Sequence, residues 1–425
     1  MTGGGMRSAN GAGAEWRKYF MLPVAAGLGY ATSVIHIYGL GPYIQPLSAE
    51  FGWSRTETTV GLTIATLVQA VCSVPIGMLV DRIGPRLLAI IGSLLTVAAF
   101  ALMSTATGEA ANWYMLWGLM ALATLPIQAT VWTSAVASRF EASRGLAFAV
   151  TLCGAAIATS LFPYLATRLI AEVGWRTAFV AQAGIWVVCS YPLIFLFFRG
   201  ARDSREARFA EARQGRPVLS GVGFFEGLRS SIYLRLLLAS LLFTFTIIAL
   251  VVHFVPILTS YGLTALDAAS IAALIGLASI FGRLSTGMLL DRFPASFVGA
   301  GVFMLPVAGC AVLIATGGSP PGAMGAAVLI GLTLGAEIDV VVYLTTRHFG
   351  LKSFGALYGG LLGALSIGTA LGPLGAARVF DAYGNYGPFL WVTIGFMAAS
   401  SLALASLPHP AAEADAALKL VENEV

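Results

Sequence analysis

GMLVDRIGPR, residues 77–86, and GMLLDRFPAS, residues 287–296, are one phrase written twice, 210 residues apart. Gly77, Met78, Leu79, Asp81 and Arg82 fall on Gly287, Met288, Leu289, Asp291 and Arg292, with Pro294 where the first copy has Gly84. The same shift, without a gap, lays Pro46 on Pro256, Gly52 on Gly262 and Gly145 on Gly355. It also lays Pro163 on Pro373, Arg168 on Arg378, Gly174 on Gly384 and Phe179 on Phe389. Chance gives scattered Gly or Ala matches. It does not hold one shift for charged and proline positions along a whole chain. The sequence is a duplicated unit.

The solvent of that unit follows from composition. Of 425 residues, 58% are apolar and only 10% are Asp, Glu, Lys or Arg, against roughly 25% charged in an ordinary soluble domain. Mean hydropathy is +0.85. A soluble globule needs a charged skin, and these residues cannot make one. A soluble enzyme, a nucleic-acid binder and a disordered scaffold are excluded, and the lipid bilayer is the environment that fits.

A spanning helix needs about 20 apolar residues. Twelve such stretches are read: 20–46, 58–80, 87–106, 112–138, 145–170, 176–198, 236–259, 267–290, 295–316, 322–345, 353–377 and 386–407. They are continuously apolar, hence helices and not barrel strands. Six spans per copy is an even number, so both copies sit the same way up. The expected architecture is an all-α membrane protein of twelve transmembrane helices in two parallel-repeated six-helix bundles, with the binding site between the halves at the midplane. The expected organisation is a cytoplasmic segment 1–19, bundles over 20–199 and 234–407, a basic linker over 200–233, and a tail over 408–425. The first span is read as a retained helix and not a signal peptide, because no separate h-region or cleavage site precedes it.

Basic residues set the orientation. Nineteen Lys or Arg fall on one side and four, Arg55, Arg168, Arg176 and Arg378, on the other. The positive-inside rule places both termini and the central segment in the cytoplasm of a multi-pass inner (plasma) membrane protein. The net charge of +4 is local: Arg199–Arg235 holds eight arginines and four acids, itself a surplus of +4. That segment reads as a linker against anionic lipid. The four cysteines lie in apolar runs without metal-ligand spacing, so no metal and no cofactor is expected.

The repeated phrase has its own chemistry. It ends span 2 and turns tightly into span 3. Gly77 permits close helix approach, Asp81 can meet a neighbouring helix N-terminus, and Arg82 and Arg86 hold the cytoplasmic surface. Asp291 and Arg292 repeat the pattern. This resembles the loop signature of the major facilitator superfamily, and the resemblance implies a gating role; a plain topogenic turn is the alternative. Phe140-Glu-Ala-Ser-Arg144-Gly145-Leu-Ala147, EFGWSRTE after span 1 and GPLGAARVFDAYGNY after span 11 are similar to the monocarboxylate transporter family, especially its bacterial branch and the related oxalate–formate antiporters. Animal members carry a lysine in span 1 where this chain has Tyr38, and an Asp-x-x-x-Arg pair in span 8 of which Arg283 is kept and the acid is Ser279. The second cation of the oxalate–formate exchangers, a span-11 lysine, is not in this sequence.

Charges inside spans carry the functional reading. Each costs roughly 2.5–3.5 kcal/mol at mid-bilayer by insertion scales. The chain keeps Arg283 in span 8, Glu337 and Asp339 in span 10, His36 in span 1 and His253 in span 7. Counting from the outer helix ends at 1.5 Å per residue puts Arg283 and Glu337 at one depth, and Asp339 about 3 Å deeper. Glu337 and Asp339 are about 200° apart round the helix, so they cannot share a partner. The expected pair is Arg283 with Glu337. Two readings stand: an organic anion takes the guanidinium fork and the displaced carboxylate takes a proton, or the pair is structural. Asp339 is left between coupling and a partner outside the pore. His253 is left between proton shuttling, vestibule lining and packing, and His36 is the weakest candidate. Gln128 and Trp132, on one face of span 4 after Pro126, are expected to line the pore or to pack. Gly355, Gly359 and Gly363 read as a packing device of span 11.

The expected function is therefore secondary transport of a small organic monoanion with a proton, substrate contacts falling to Arg283, Tyr38, Gln128 and Trp132 and proton coupling to Glu337, Asp339 and His253. The partners are the anion, the proton and the bilayer, with no nucleic acid, and a monomer is expected to suffice. A membrane enzyme would need a nucleophile–base set, and no HExxH, GxSxG, P-loop or CxxC is found in the sequence. The live alternative is an exporter of drugs or larger organic anions on the same fold.

Overall fold

The computed structural model describes residues 13–140, 143–200, 221–290, 292–350 and 353–408. Nearly all of them are helical, and the bridge between Gly221 and Gly350 is isolated. Among the described residues nine helices are long and apolar enough to cross a membrane. One of them, Arg144–Phe197, is two helices joined at Gly174, whose φ of 76° and ψ of 160° are not helical. Adding its second half and the expected spans 1 and 2 gives twelve crossings. The chain divides into two compact units, Met1–Trp53 with Val60–Gly215, and Ser54–Thr59 with Arg216–Val425.

In the first unit, span 1 is not continuous. It is built from α1 (Met21–Ser33), α2 (Ile35–Tyr38) and α3 (Gly41–Phe51). Val34 breaks it with φ −111° and ψ 9°. Next come α4 (Arg55–Ile83) and α5 (Pro85–Leu102). Gly84, at φ 86°, makes the sharp turn between them, and Pro85 opens α5, where its missing N–H has no helical partner to lose. Span 4 is broken as well, into α6 (Ala110–Thr124), a 3₁₀ turn Leu125–Ile127, and α7 (Ala129–Ala137). Pro126 cannot donate to a continuing helix, and Gln128 leaves helical geometry at φ −59° and ψ 160°. The kinked α8 (Arg144–Phe197) supplies spans 5 and 6. Its first half meets α1 backbone to backbone, because a Cβ on Gly154 would strike the Gly27 carbonyl oxygen. Small residues drive such approaches in lipid. Tyr43 stacks on Phe179 at 3.7 Å between centroids and donates its hydroxyl to Gln182 Oε1 at 2.9 Å.

The second unit holds α9 (Phe224–Arg229), α10 (Ser231–Ser260), α11 (Ala265–Leu290), α12 (Ala295–Ala315), α13 (Pro320–Phe349), α14 (Phe354–Tyr383) and α15 (Gly387–Ala405). Ser230 caps α10 by accepting the Tyr233 N–H at 3.1 Å. Two helix pairs are locked by glycine. A Cβ on Gly335 or Gly331 of α13 would strike carbonyls of Ser279 or Ile275 on α11. One on Gly368 or Gly372 of α14 would strike Leu241 or Phe245 on α10. The expected span-11 device is thus displaced by about two turns. Gly359 and Gly363 have open space where a Cβ would stand, so they pack nothing, and the side-chain position of Gly355 lies outside the described residues.

The first residues of α4 group with this second unit. Asp381 Oδ1 accepts the Arg55 N–H at 2.9 Å, and Oδ2 accepts the Thr56 N–H at 2.8 Å and the Thr56 hydroxyl at 2.5 Å. The Arg55 guanidinium lies 3.5 Å above the Phe380 ring.

Residues 1–12, residues 201–220 of the basic linker, the tail from 409 and Asp291 lie outside the described residues, as do the side chains of Gly77, Asp81 and Arg82. Of the expected gating loop, Arg86 donates through Nη2 to the Phe195 carbonyl at 3.1 Å, and Arg292 is exposed.

Candidate functional site

The close approach of α11 and α13 puts their charged residues side by side. Arg283 Nη1 lies 3.2 Å from Asp339 Oδ1 and 3.4 Å from Oδ2. The pair is half-enclosed, with side-chain exposures of 14% and 32%. This corrects the expected Arg283–Glu337 pair. Glu337 lies two residues earlier, about 200° round the helix. It is 6% exposed, and its Oε1 has no hydrogen-bond partner among the described residues. The rotation of α13 decides this: Gly335, pressed on the Ser279 carbonyl, fixes which side of the helix faces α11. Both Asp339 contacts go to one guanidinium nitrogen, so the rest of the Arg283 fork carries no hydrogen bond among the described residues. A planar carboxylate can still be taken there.

His253 takes the packing arrangement among those the sequence left open. It is fully buried. Nε2 lies 2.9 Å from the Pro373 carbonyl and Nδ1 2.8 Å from the Tyr386 hydroxyl. A carbonyl only accepts, so Nε2 carries the hydrogen and Nδ1 accepts from Tyr386. Tyr386 in turn receives the Arg55 Nη1–H. Both ring nitrogens are thereby engaged.

Trp132 is likewise a core residue and not a pore-lining one. It is fully buried in a cluster with Leu22, Ile127, Phe140 and Phe198. Its Nε1 donates to the Ile127 carbonyl at 2.8 Å, which closes the break in span 4 from within. Its ring fills the space above Gly29. Tyr38 sits on the short α2 and is 9% exposed. Gln128 is half-buried and donates Nε2 to the Gln69 backbone carbonyl at 3.1 Å.

Gln69 is the residue that the sequence reading passed over. Its Nε2 donates to Thr124 Oγ1 at 2.5 Å and lies 3.5 Å from His36 Nε2. It ties α4 to both broken spans. An amide in an apolar helix is a visible signal, but attention to ionisable groups alone misses it.

The family model of the Major Facilitator Superfamily matches residues 26–373. The chain belongs to that superfamily. It is a multi-pass membrane transporter. It is 27% identical over 319 residues to the MFS transporter asaE of Aspergillus flavus, covering 73% of this chain and 68% of that one. It is 27% identical over 347 residues to monocarboxylate transporter 13 of Bos taurus, covering 79% and 76%. It is 25% identical over 330 residues to the agnestins efflux protein AgnL12 of Paecilomyces divaricatus, covering 74% and 70%. These relatives are eukaryotic and all are named as transporters or efflux proteins. The likeness therefore supports transport and the superfamily. It does not single out the bacterial branch expected from the sequence motifs.

Proposed function

We propose that this transporter moves a small organic monoanion together with a proton by alternating access, with Arg283 as the partner of the anion. The observation that carries the reading is the Arg283–Asp339 pair, made through one guanidinium nitrogen at 3.2 and 3.4 Å. An incoming carboxylate takes the open side of the fork, for which arginine is well shaped. Asp339 then loses its cation in poorly solvated surroundings, where an unpaired carboxylate costs several kcal/mol. It takes up a proton, and the loaded site is near neutral. Glu337, buried on the other side of α13, is a second group for that proton. The similarity to monocarboxylate transporter 13 supports the substrate class. Membership of the bacterial monocarboxylate and oxalate–formate group, an inner (plasma) membrane location with both termini cytoplasmic, and function as a monomer complete the proposal.

A second reading is export of a larger organic compound, favoured by the name of the relative AgnL12. Reconstitution decides between them. Accumulation of a short acid in proteoliposomes under an inward proton gradient, lost in Arg283→Ala, supports monoanion import. Efflux of bulky compounds with no uptake of short acids supports the rival.

A further inference from the structure

We infer that His36, Gln69 and Gln128 form a second substrate subsite, inside the first unit, for an uncharged hydrogen-bonding group. The inference rests on the transport reading above and adds to it a polar place inside the first unit that takes an uncharged group of the transported molecule.

Three observations converge. Spans 1 and 4 are both interrupted, at Val34 and over Leu125–Gln128. Broken helices at membrane depth are tolerated where the freed backbone is buried in protein or lines a cavity. Gln69, on α4, ties the two interruptions together through Thr124, His36 and Gln128.

The cluster is also unfinished. Both amides are half-buried; Gln69 directs its amide nitrogen to Thr124 and His36, and Gln128 donates one N–H to the Gln69 carbonyl. Their side-chain oxygens accept no hydrogen bond among the described residues. The Gln69 amide nitrogen only donates, so His36 Nε2 accepts and Nδ1 carries the hydrogen. That Nδ1 is buried without a partner, in a ring that is 1% exposed. An orphaned buried donor is costly, and a purely structural ladder would have satisfied it. The small cavity beside His36, walled by Phe100, Trp113, Trp117 and Phe179, is apolar and offers it nothing.

The third observation is the repeat. The shift of 210 lays Gln69 on Ser279, one turn before Arg283, and Gln128 on Ile338, between Glu337 and Asp339. The equivalent positions in the second copy, Ser279, Ile338 and Thr246 for His36, are uncharged, and the charges of that copy stand one turn or one residue away from them. Two acceptor oxygens and one donor N–H suit a hydroxyl, carbonyl or amide group, and give no charge to hold a second carboxylate.

The test is competition in proteoliposomes between butyrate and its 2-, 3- and 4-hydroxy derivatives, each scored as a ratio to butyrate. At least one hydroxy acid should compete about tenfold better than butyrate in the unaltered protein, the value of one well-made hydrogen bond. In Gln69→Met and in Gln128→Met that ratio should fall to about twofold or less. A ratio cannot be imitated by a general loss of transport. Should a variant fail to fold, Gln128→Cys, with the four native cysteines replaced, gives a second readout: the favoured hydroxy acid should slow alkylation at position 128. A ratio near one in the unaltered protein, or a ratio unchanged in both methionine variants, overturns the inference. So does alkylation at position 128 that no transported acid affects. Uptake that survives Arg283→Ala overturns the anion reading instead, and the ratio then still reports on the amide cluster.

Discussion

Arg283 reaches Asp339 across two helices at 3.2 Å, while Glu337, two residues earlier on the same helix, is buried with an unpartnered oxygen. One carboxylate is thereby the counter-ion of the guanidinium and the other is not. The proton-coupling proposal takes its sharpest test from that difference.

Asp339→Asn removes the competitor of the anion and the first acceptor of the proton. Proton-driven accumulation is expected to fall at least tenfold, the equivalent of about 1.4 kcal/mol, while anion exchange persists. Glu337→Gln keeps shape and hydrogen-bonding capacity, and exchange should be nearly unchanged. Counterflow with and without a pH gradient measures both. Loss of coupling in Glu337→Gln alone would reverse the assignment.

Gly335→Ala places a methyl group where the Ser279 carbonyl stands. The two helices must part or shift, at a cost of about 1–3 kcal/mol by analogy with overpacked cores. Thermal unfolding should be lowered, and transport should fall with it because Arg283 and Asp339 ride on those helices. Gly359→Ala, with open space around it, is the matched control and should be near neutral.

Asp381→Ala strips the start of α4 of a carboxylate that accepts two backbone N–H groups. Loss of such a cap costs roughly 0.5–2 kcal/mol. Asp381→Asn should recover part of the loss in melting temperature, because one amide oxygen can still accept.

Substrate charge separates the anion reading from its rivals. Arg283 is the fixed cation expected at the site, so a dianion leaves one carboxylate unpaired beside Asp339. Monocarboxylates should be preferred over dicarboxylates about tenfold or more, if about 1.4 kcal/mol of the mismatch survives. Competition of pyruvate and lactate against oxalate and succinate measures it. Stronger inhibition by the dicarboxylates would mean that a further cation completes the site.

Orientation is open to labelling. Single cysteines at Glu109 and Ser319 should react with an impermeant reagent from outside intact cells, and one at Arg208 only from inside. Outside reaction at position 208 would overturn the charge-bias argument.

The class of this protein was legible in the sequence because it depends on sums and long periods. Composition fixes the solvent, span length follows bilayer thickness, and one shift of 210 residues reveals the duplication. The repeated glycines show how deep that signal runs. Gly52 and Gly262 both turn at positive φ, as do Gly174 and Gly384, a backbone state that glycine adopts without strain. That an arginine and a span-10 carboxylate would meet was legible too, since both are too costly in lipid to stand alone. Which carboxylate was not. Counting residues gives depth to within a turn, but rotation about the helix axis is set by contact, here Gly335 against Ser279. Sequence spacing puts Trp132 and Gln128 on one helical face, but the helix begins only at Ala129, and tertiary packing sent that tryptophan into the core. The Asp381 cap on α4 joins residues 326 apart in sequence, beyond the reach of any local pattern. Gln69 lay hidden for a related reason: an uncharged amide hardly disturbs hydropathy, and its meaning appears only where two broken spans come within hydrogen-bond reach of it.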